Sequence, residues 1–236
     1  MDVKLRVMSA NLMGARGADP EALVRILERE RPDVLALQEV SNAQAERIAK
    51  SGLFPYGHMD QRRSSLGLGM LLRRPGSVRR LPLPRRDGWI AQVEVTEPET
   101  DRTAVLEVIN VHLTPPHYLP PWKMLWQRRR QIHTLRSHLA ANSRRPRVLL
   151  GDLNSTTLFP AYQALRAHLD DAALVAASLN GGITTPTWAP RPGWRPLLRI
   201  DHVLIDSSIE VEAFCVVPVP GSDHAAVRVD LRISAP

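Results

Sequence analysis

The spacing of hydrophobic and polar residues changes period several times along the chain, and each change predicts an element. Residues 5–9 alternate apolar and polar as a short strand does, and a loop holding Gly14 and Gly17 follows. Asp19-Pro20 has the form of a helix cap followed by a first-turn proline, and Leu23, Ile26, Leu27 and Glu30 continue at helical spacing until Pro32. Residues 34–38 return as a strand, 43–50 predict a second helix, and strands are expected near 68–73, 89–95 and 104–112. Further on, Leu125, Ile132, Leu135 and Leu139 fit one face of a long helix, residues 147–150 read as a buried strand, and 160–168 as another helix. Strands at 200–205 and 211–217 precede a last one in which Val227, Val229, Leu231 and Ile233 alternate with polar residues. Two strand-rich halves with helices between them predict an α/β fold, its two sheets packed face to face with helices outside.

Composition narrows this only a little. A chain of 236 residues, 44% hydrophobic, suits one large domain or two small ones and can bury a substantial core. Lys and Arg number 31 against 24 Asp and Glu, and the net charge of +7 favours polyanionic or acidic-surface partners. A single cysteine, Cys215, rules out an internal disulfide and a Cys-rich zinc site; its apolar run predicts an inert, buried thiol. Met1-Asp2-Val3-Lys4 passes straight into a strand pattern, and no stretch approaches the roughly 18 apolar residues a bilayer requires. A cytoplasmic monomer is expected.

Four polar clusters stand at or beside predicted strands: Leu37-Gln38-Glu39, Gly151-Asp152-Leu153-Asn154, Arg199-Ile200-Asp201-His202 and Gly221-Ser222-Asp223-His224. Strand ends hold side chains in fixed relation, so carboxylates and imidazoles gathered there predict one shared site. Carboxylates and amides without Cys ligands suit Mg²⁺ or Mn²⁺ and attack on a phosphate ester, which needs charge neutralisation, a positioned water and donors to the phosphate oxygens. Taken singly, each cluster has a plainer reading: Glu39 as a strand-end charge, Asp152 to Asn154 as a helix-capping turn, His112 as a core histidine. His202 follows Asp201 and points to the opposite face of its strand, which predicts a structural role.

With Asn11, Gln38-Glu39, Asn110-Val111-His112, Asp152-Leu153-Asn154, Asp201-His202 and Asp223-His224 in this order, the chain resembles the endonuclease/exonuclease/phosphatase superfamily. DNase I, abasic-site endonucleases and neutral sphingomyelinases belong to that group, and the likeness spans nearly the whole chain. The resemblance implies one domain over residues 1–236, a four-layer α/β sandwich of two mainly antiparallel sheets. It also implies Mg²⁺ or Mn²⁺ held by Glu39, with Asn11 and Asp223 assisting. Asp152 would orient or deprotonate the attacking water, Asn154 would donate to the phosphate, and Asp201 would fix a cationic His224. His112 would be a second phosphate donor or a proton source. Abasic-site enzymes carry tyrosine near that position, so histidine there argues against specific abasic-site repair.

Function on this fold lies in the loops. A nuclease acting on DNA or RNA is the first expectation, from the basic charge and from Trp, Tyr and Arg in loops 115–130 and 185–199. Arg129, Trp188 and Arg199 are its expected substrate contacts. Lys123, Arg128 and Arg130 read either as part of a nucleic-acid groove or as a solvated helix face. The alternative is a phosphatase or phosphodiesterase acting on a lipid-linked or small-molecule phosphate such as sphingomyelin or prenyl pyrophosphate. Thr185-Pro186-Thr187-Trp188 and the segment around Asp201 are similar to the soluble part of membrane-anchored glycopeptide-resistance proteins. Leu119, Trp122, Met124 and Trp126 would then touch a membrane surface, with Leu125 expected to face the core.

Overall fold

The computed structural model describes residues 2–60, 67–96, 103–116, 120–141 and 145–234. Strands β1 (Asp2–Asn11), β2 (Val34–Gln38), β3 (Tyr56–Met59) and β4 (Leu68–Leu72) join β11 (Ile209–Val217) and β12 (Ala226–Ser234) in one six-stranded sheet, ordered β11-β12-β1-β2-β4-β3. Strands β5 (Gly76–Leu81), β6 (Gly88–Thr96), β7 (Thr103–His112), β8 (Arg147–Asp152), β9 (Asp170–Asp171) and β10 (Asp201–Ile205) form the second, ordered β5-β6-β7-β8-β10-β9. One central pair in each sheet is parallel, β1 with β2 and β7 with β8; the other pairings are antiparallel. The expected α/β sandwich is therefore present.

Its layering explains the sequence pattern. Strand β2 is covered on both faces, so it is apolar without alternation: Val34 and Ala36 join the inter-sheet core, while Leu35 and Leu37 meet the helices outside. Strand β12 alternates because only one face is in the core; Arg228 and Asp230 turn outward to Glu30 and Arg6. Helices α1 (Pro20–Glu30) and α2 (Asn42–Ser51) cover the first sheet, and α3 (Pro121–Ala141) and α4 (Pro160–Arg166) the second. Asp19 caps α1 by accepting the Ala22 N–H, with Pro20 at the first helical position as expected.

Helix α5 (Ala172–Asn180) has no counterpart in the sequence reading. It packs against β10 and β11, one from each sheet, and puts Ala172 and Ala176 into the inter-sheet core. Leu125 is a correction: it is 47% exposed, because the first turns of α3 precede the part of the helix that meets the sheet, and burial begins at Arg128. Leu119 lies outside the described residues. Cys215 sits half-buried on β11 within reach of the Arg228 guanidinium, at 3.1 Å. Among the described residues no helix is long and apolar enough to cross a membrane.

Candidate active site

Parallel pairing brings the ends of four central strands together. Asn11 lies beside Gln38 in one sheet, and His112 and Asp201 flank Asp152 in the other. Gln38 and Asn110, both fully buried, tie the sheets below the site: Gln38 Nε2 donates to Asn110 Oδ1 at 2.7 Å, and Asn110 Nδ2 donates to Leu37 O and Gly69 O. Just beyond the strands, Glu39 and Asn154 adopt left-handed backbone, φ 53 and 47, which costs a non-glycine residue on the order of 1 kcal/mol and tends to persist at functional sites. Both line a cavity of about 420 Å³ together with Arg86, His112, Asp152, Trp188, Asp223 and His224.

Asp152 is held from several sides. It accepts from Asn11 Nδ2 (3.1 Å), the Asn154 backbone N–H (2.8 Å) and Asn154 Nδ2 (3.1 Å), and His112 Nε2 lies 3.3 Å away. Burial opposes its charge, but His112, His224 and the Asn154 N–H outweigh burial and hold it well below the usual carboxylate range. It is therefore ionised at any working pH and a weak base. His224 Nδ1 lies 2.9 Å from Asp201 Oδ2, which also accepts the Thr187 hydroxyl at 2.6 Å. Burial opposes the imidazolium, yet Asp201 first, then Asp152 and Asp223, push its pKa up to about 10. The pairing expected from sequence is present, with Nε2 turned toward Asp152 (3.9 Å) and Asp223 (4.0 Å).

The donor set fits a hard divalent cation. Glu39 is 25% exposed to the cavity, with His112 Nε2 3.7 Å from its carboxylate. Asp152, Asp201 and His224 also offer ligand atoms within 4.8 Å of one another. Asp201 is already committed to His224 and Thr187, however, so the Glu39 side suits an oxygen-seeking ion such as Mg²⁺ or Mn²⁺ better. Asp223 accepts the Trp188 indole N–H at 3.2 Å, which fixes both at the cavity wall. Asn11 spends its amide on Asp152 and turns its oxygen to the Met13 N–H (3.0 Å), an orienting position.

Arg199 and Arg128 stand apart from what sequence led us to expect. Arg199, expected to contact substrate, is buried: its guanidinium meets Asp171 (2.8 Å) and His202 Nδ1 (3.1 Å). His202 in turn bonds the Ser155 carbonyl at 2.8 Å, so it is structural as expected. Arg128, one of the groove candidates, is also buried and donates to Thr114 O, Leu153 O and Ser155 Oγ. Gln131, one turn on, accepts the Thr114 N–H and donates to Pro84 O. These two side chains staple together the loops that follow β7 and β8 and the loop between β5 and β6. Arg129 lies instead on a neighbouring groove of about 480 Å³ between α3 and α4, lined also by Met124, Leu125, His133, Arg136 and Ala164. The groove meets the catalytic cavity at Pro116 and Phe159. Arg86 was not foreseen at all; the charged turn Pro84-Arg85-Arg86-Asp87 looks like surface.

No curated protein matches the sequence. Solved structures share its fold. A Bacteroides thetaiotaomicron endonuclease/exonuclease/phosphatase family protein superposes with a TM-score of 0.73 at 16% identity, covering 99% of each chain. D. rerio TDP2 complexed with single-strand DNA product gives 0.72 at 17% identity over 97% of this chain and 98% of that one. The human Nocturnin catalytic domain with bound sulfate gives 0.68 at 17% identity over 97% and 93%. The sequence itself matches the Endonuclease/Exonuclease/phosphatase family over residues 8–224, and the chain belongs to that family of phosphoesterases.

Proposed function

We propose that the chain is a divalent-metal-dependent phosphodiesterase that cleaves nucleic-acid strands. The observation that carries this reading is the meeting of Glu39, Asp152 and the Asp201–His224 pair at one cavity that opens onto a groove with a basic rim. When bound, Mg²⁺ or Mn²⁺ would neutralise charge on the phosphate and leaving oxygens, held by Glu39 with Asp223 nearby. His224 presents a cation to a non-bridging oxygen, and Asp201 keeps it charged and oriented. Asp152 accepts a hydrogen bond from the attacking water and aims it, since its depressed pKa makes it a better orienter than proton acceptor. Asn154 Nδ2, now shared with Leu113 O and Asp152, is the neutral donor beside it.

The substrate follows from the rim. Arg129, His133 and Arg136 run along one face of α3 above an apolar floor, an arrangement suited to a strand whose phosphates meet the cations while its bases rest on Leu125 and Phe159. D. rerio TDP2 and human Nocturnin, whose folds are similar, support a nucleic-acid substrate by analogy. One observation favours the lipid-linked phosphate instead: Trp122, Leu125, Trp126, Leu158 and Phe159 are exposed near the same mouth. Single-stranded DNA, RNA, plasmid, sphingomyelin, prenyl pyrophosphate and bis-p-nitrophenyl phosphate, each assayed with Mg²⁺, Mn²⁺ or EDTA, decide between them. Hydrolysis of prenyl pyrophosphate or sphingomyelin with no cleavage of DNA or RNA would overturn the nuclease reading.

A further inference from the structure

Arg86 reaches the catalytic cavity from a turn that is pinned on both sides. Its own N–H bonds Pro84 O at 2.9 Å, the same carbonyl takes the Gln131 amide at 3.0 Å, and Arg85 before it is in left-handed backbone, φ 71. The Arg86 side chain is buried, lines the cavity, and sets Nη1 2.7 Å from His112 Nδ1 and 2.6 Å from Nε2. A guanidinium only donates and never loses its charge. A second cation at that distance would cost about 6 kcal/mol at an effective dielectric near 20. His112 is therefore neutral while Arg86 rests on it, and one of its ring nitrogens accepts. Nε2 faces two acceptors, Asp152 Oδ2 at 3.3 Å and Glu39 Oε1 at 3.7 Å, so the ring proton belongs there and Nδ1 takes the arginine.

We infer that Arg86 is a positioning residue that locks His112 as a neutral Nε2–H donor and gives this wall of the cavity a permanent positive charge for the substrate phosphate. This rests on the phosphodiesterase reading of the cavity. The division of labour is that His224 and Arg86 bring charge from opposite walls, while His112 contributes a directed hydrogen bond and no charge. It also separates His112 from any part as proton source, since a neutral imidazole with its proton shared toward two carboxylates is a poor acid.

The test uses the full chain with Arg86→Met and Arg86→Lys, checked for folding by circular dichroism. Inorganic phosphate binding is titrated by calorimetry in the presence of Mn²⁺, and the His112 tautomer is read from long-range ¹H–¹⁵N correlations, assigned by comparison with His112→Asn. Turnover of bis-p-nitrophenyl phosphate is measured alongside. We expect wild type to show only the Nε2–H form of His112. Arg86→Met should bind phosphate at least ~10-fold more weakly, lose about 100-fold in kcat, the scale of one preorganised donor, and populate the Nδ1–H form. Arg86→Lys should hold phosphate within a few-fold of wild type yet still show both tautomers, because an ammonium cannot reproduce the fork. A folded Arg86→Met with unchanged phosphate affinity and an unchanged His112 spectrum overturns the inference. Should Arg86→Met fail to fold, an Arg86→Lys variant with a single His112 tautomer and wild-type kcat overturns it equally. A wild type inert toward every phosphodiester sinks the proposed function instead, and leaves the tautomer and phosphate readings to stand or fall alone.

Discussion

Replacing Arg128 by Met separates a staple from a substrate contact. Methionine keeps most of the buried stem but removes donors to Thr114 O, Leu153 O and Ser155 Oγ. Hydrogen bonds to a charged group contribute about 1.5–3 kcal/mol each. Part of the loss is offset, because Leu153 O keeps the Ser155 hydroxyl at 2.9 Å and because a buried cation, whose pKa burial already lowers, is no longer desolvated. Thr114 O loses its charged donor outright. The balance comes to roughly 2 kcal/mol of lost stability, or about 4–8 °C in Tm for a chain of this size. Thr114 stands two residues from His112, and Leu153 and Ser155 flank Asp152 and Asn154, so slack there misplaces the groups around the phosphate. Errors near 1 Å cost about 100-fold, so kcat should fall ~10- to 100-fold on both a polynucleotide and bis-p-nitrophenyl phosphate. The polynucleotide Kd and its salt dependence should stay unchanged, as measured by fluorescence anisotropy across a salt series. Undiminished kcat on the small diester, with weakened and salt-flattened polynucleotide binding, would refute the staple and return Arg128 to the groove.

Other expectations are narrower. Glu39→Gln should abolish most phosphoesterase activity and weaken Mn²⁺ binding without lowering Tm, and full activity of the wild type in EDTA would show that no metal is needed. Asp201→Asn removes the largest support of the His224 charge; since activity requires the imidazolium, the descending alkaline limb of the pH–rate profile should move to lower pH, and an unmoved limb would break the pair. Asp171 is held well below the usual carboxylate range because His202, Arg199 and Tyr162 outweigh its burial, so its contribution is present above the unfolded carboxylate pKa near ~4 and lost as pH falls further; urea midpoints of Asp171→Asn should flatten on the acid side. Burial and Asp171 push Tyr162 up to about 12, so its contribution holds below the unfolded value near ~10 and is lost as pH rises through that interval; Tyr162→Phe should remove this alkaline loss from the same midpoints. Arg129→Ala should weaken polynucleotide binding and reduce its salt slope by roughly 0.7 for each phosphate left without a cation, while Trp122→Ala and Trp126→Ala matter more if the substrate is lipid-linked.

Much of the fold is legible where burial imposes a period. Strand β2 and β8 read as apolar runs because both of their faces are covered, and β12 reads by alternation. The edge strands β3 and β5 escape notice, since Tyr56–Met59 and Gly76–Leu81 are largely exposed and carry no buried face. Helix α5 escapes for a different reason: Ala172–Asn180 is nearly uniformly small and apolar, so it shows no stripe of helical period. At the site, strand-end carboxylates and imidazoles announce themselves by their type. Arginines do not. Arg86, Arg128 and Arg199 look like surface charge in the sequence, and only the tertiary structure turns their guanidinium groups inward onto an imidazole, two carbonyls and a carboxylate.

The order in which strands join the two sheets also governs when the enzyme can come into being. All of the second sheet lies within Gly76–Ile205, a continuous stretch, whereas the first is completed only when β12 pairs with β1 across almost the full length of the chain, Val3 against Ile233. Asp223 and His224 stand just ahead of that closing strand. A growing or truncated chain lacking β12 therefore holds Glu39 and Asp152 without their cationic counterpart, and with two sheets that are not yet clamped together. The last segment to be laid down is the one that arms the site, so a partial chain is hydrolytically silent until closure is complete.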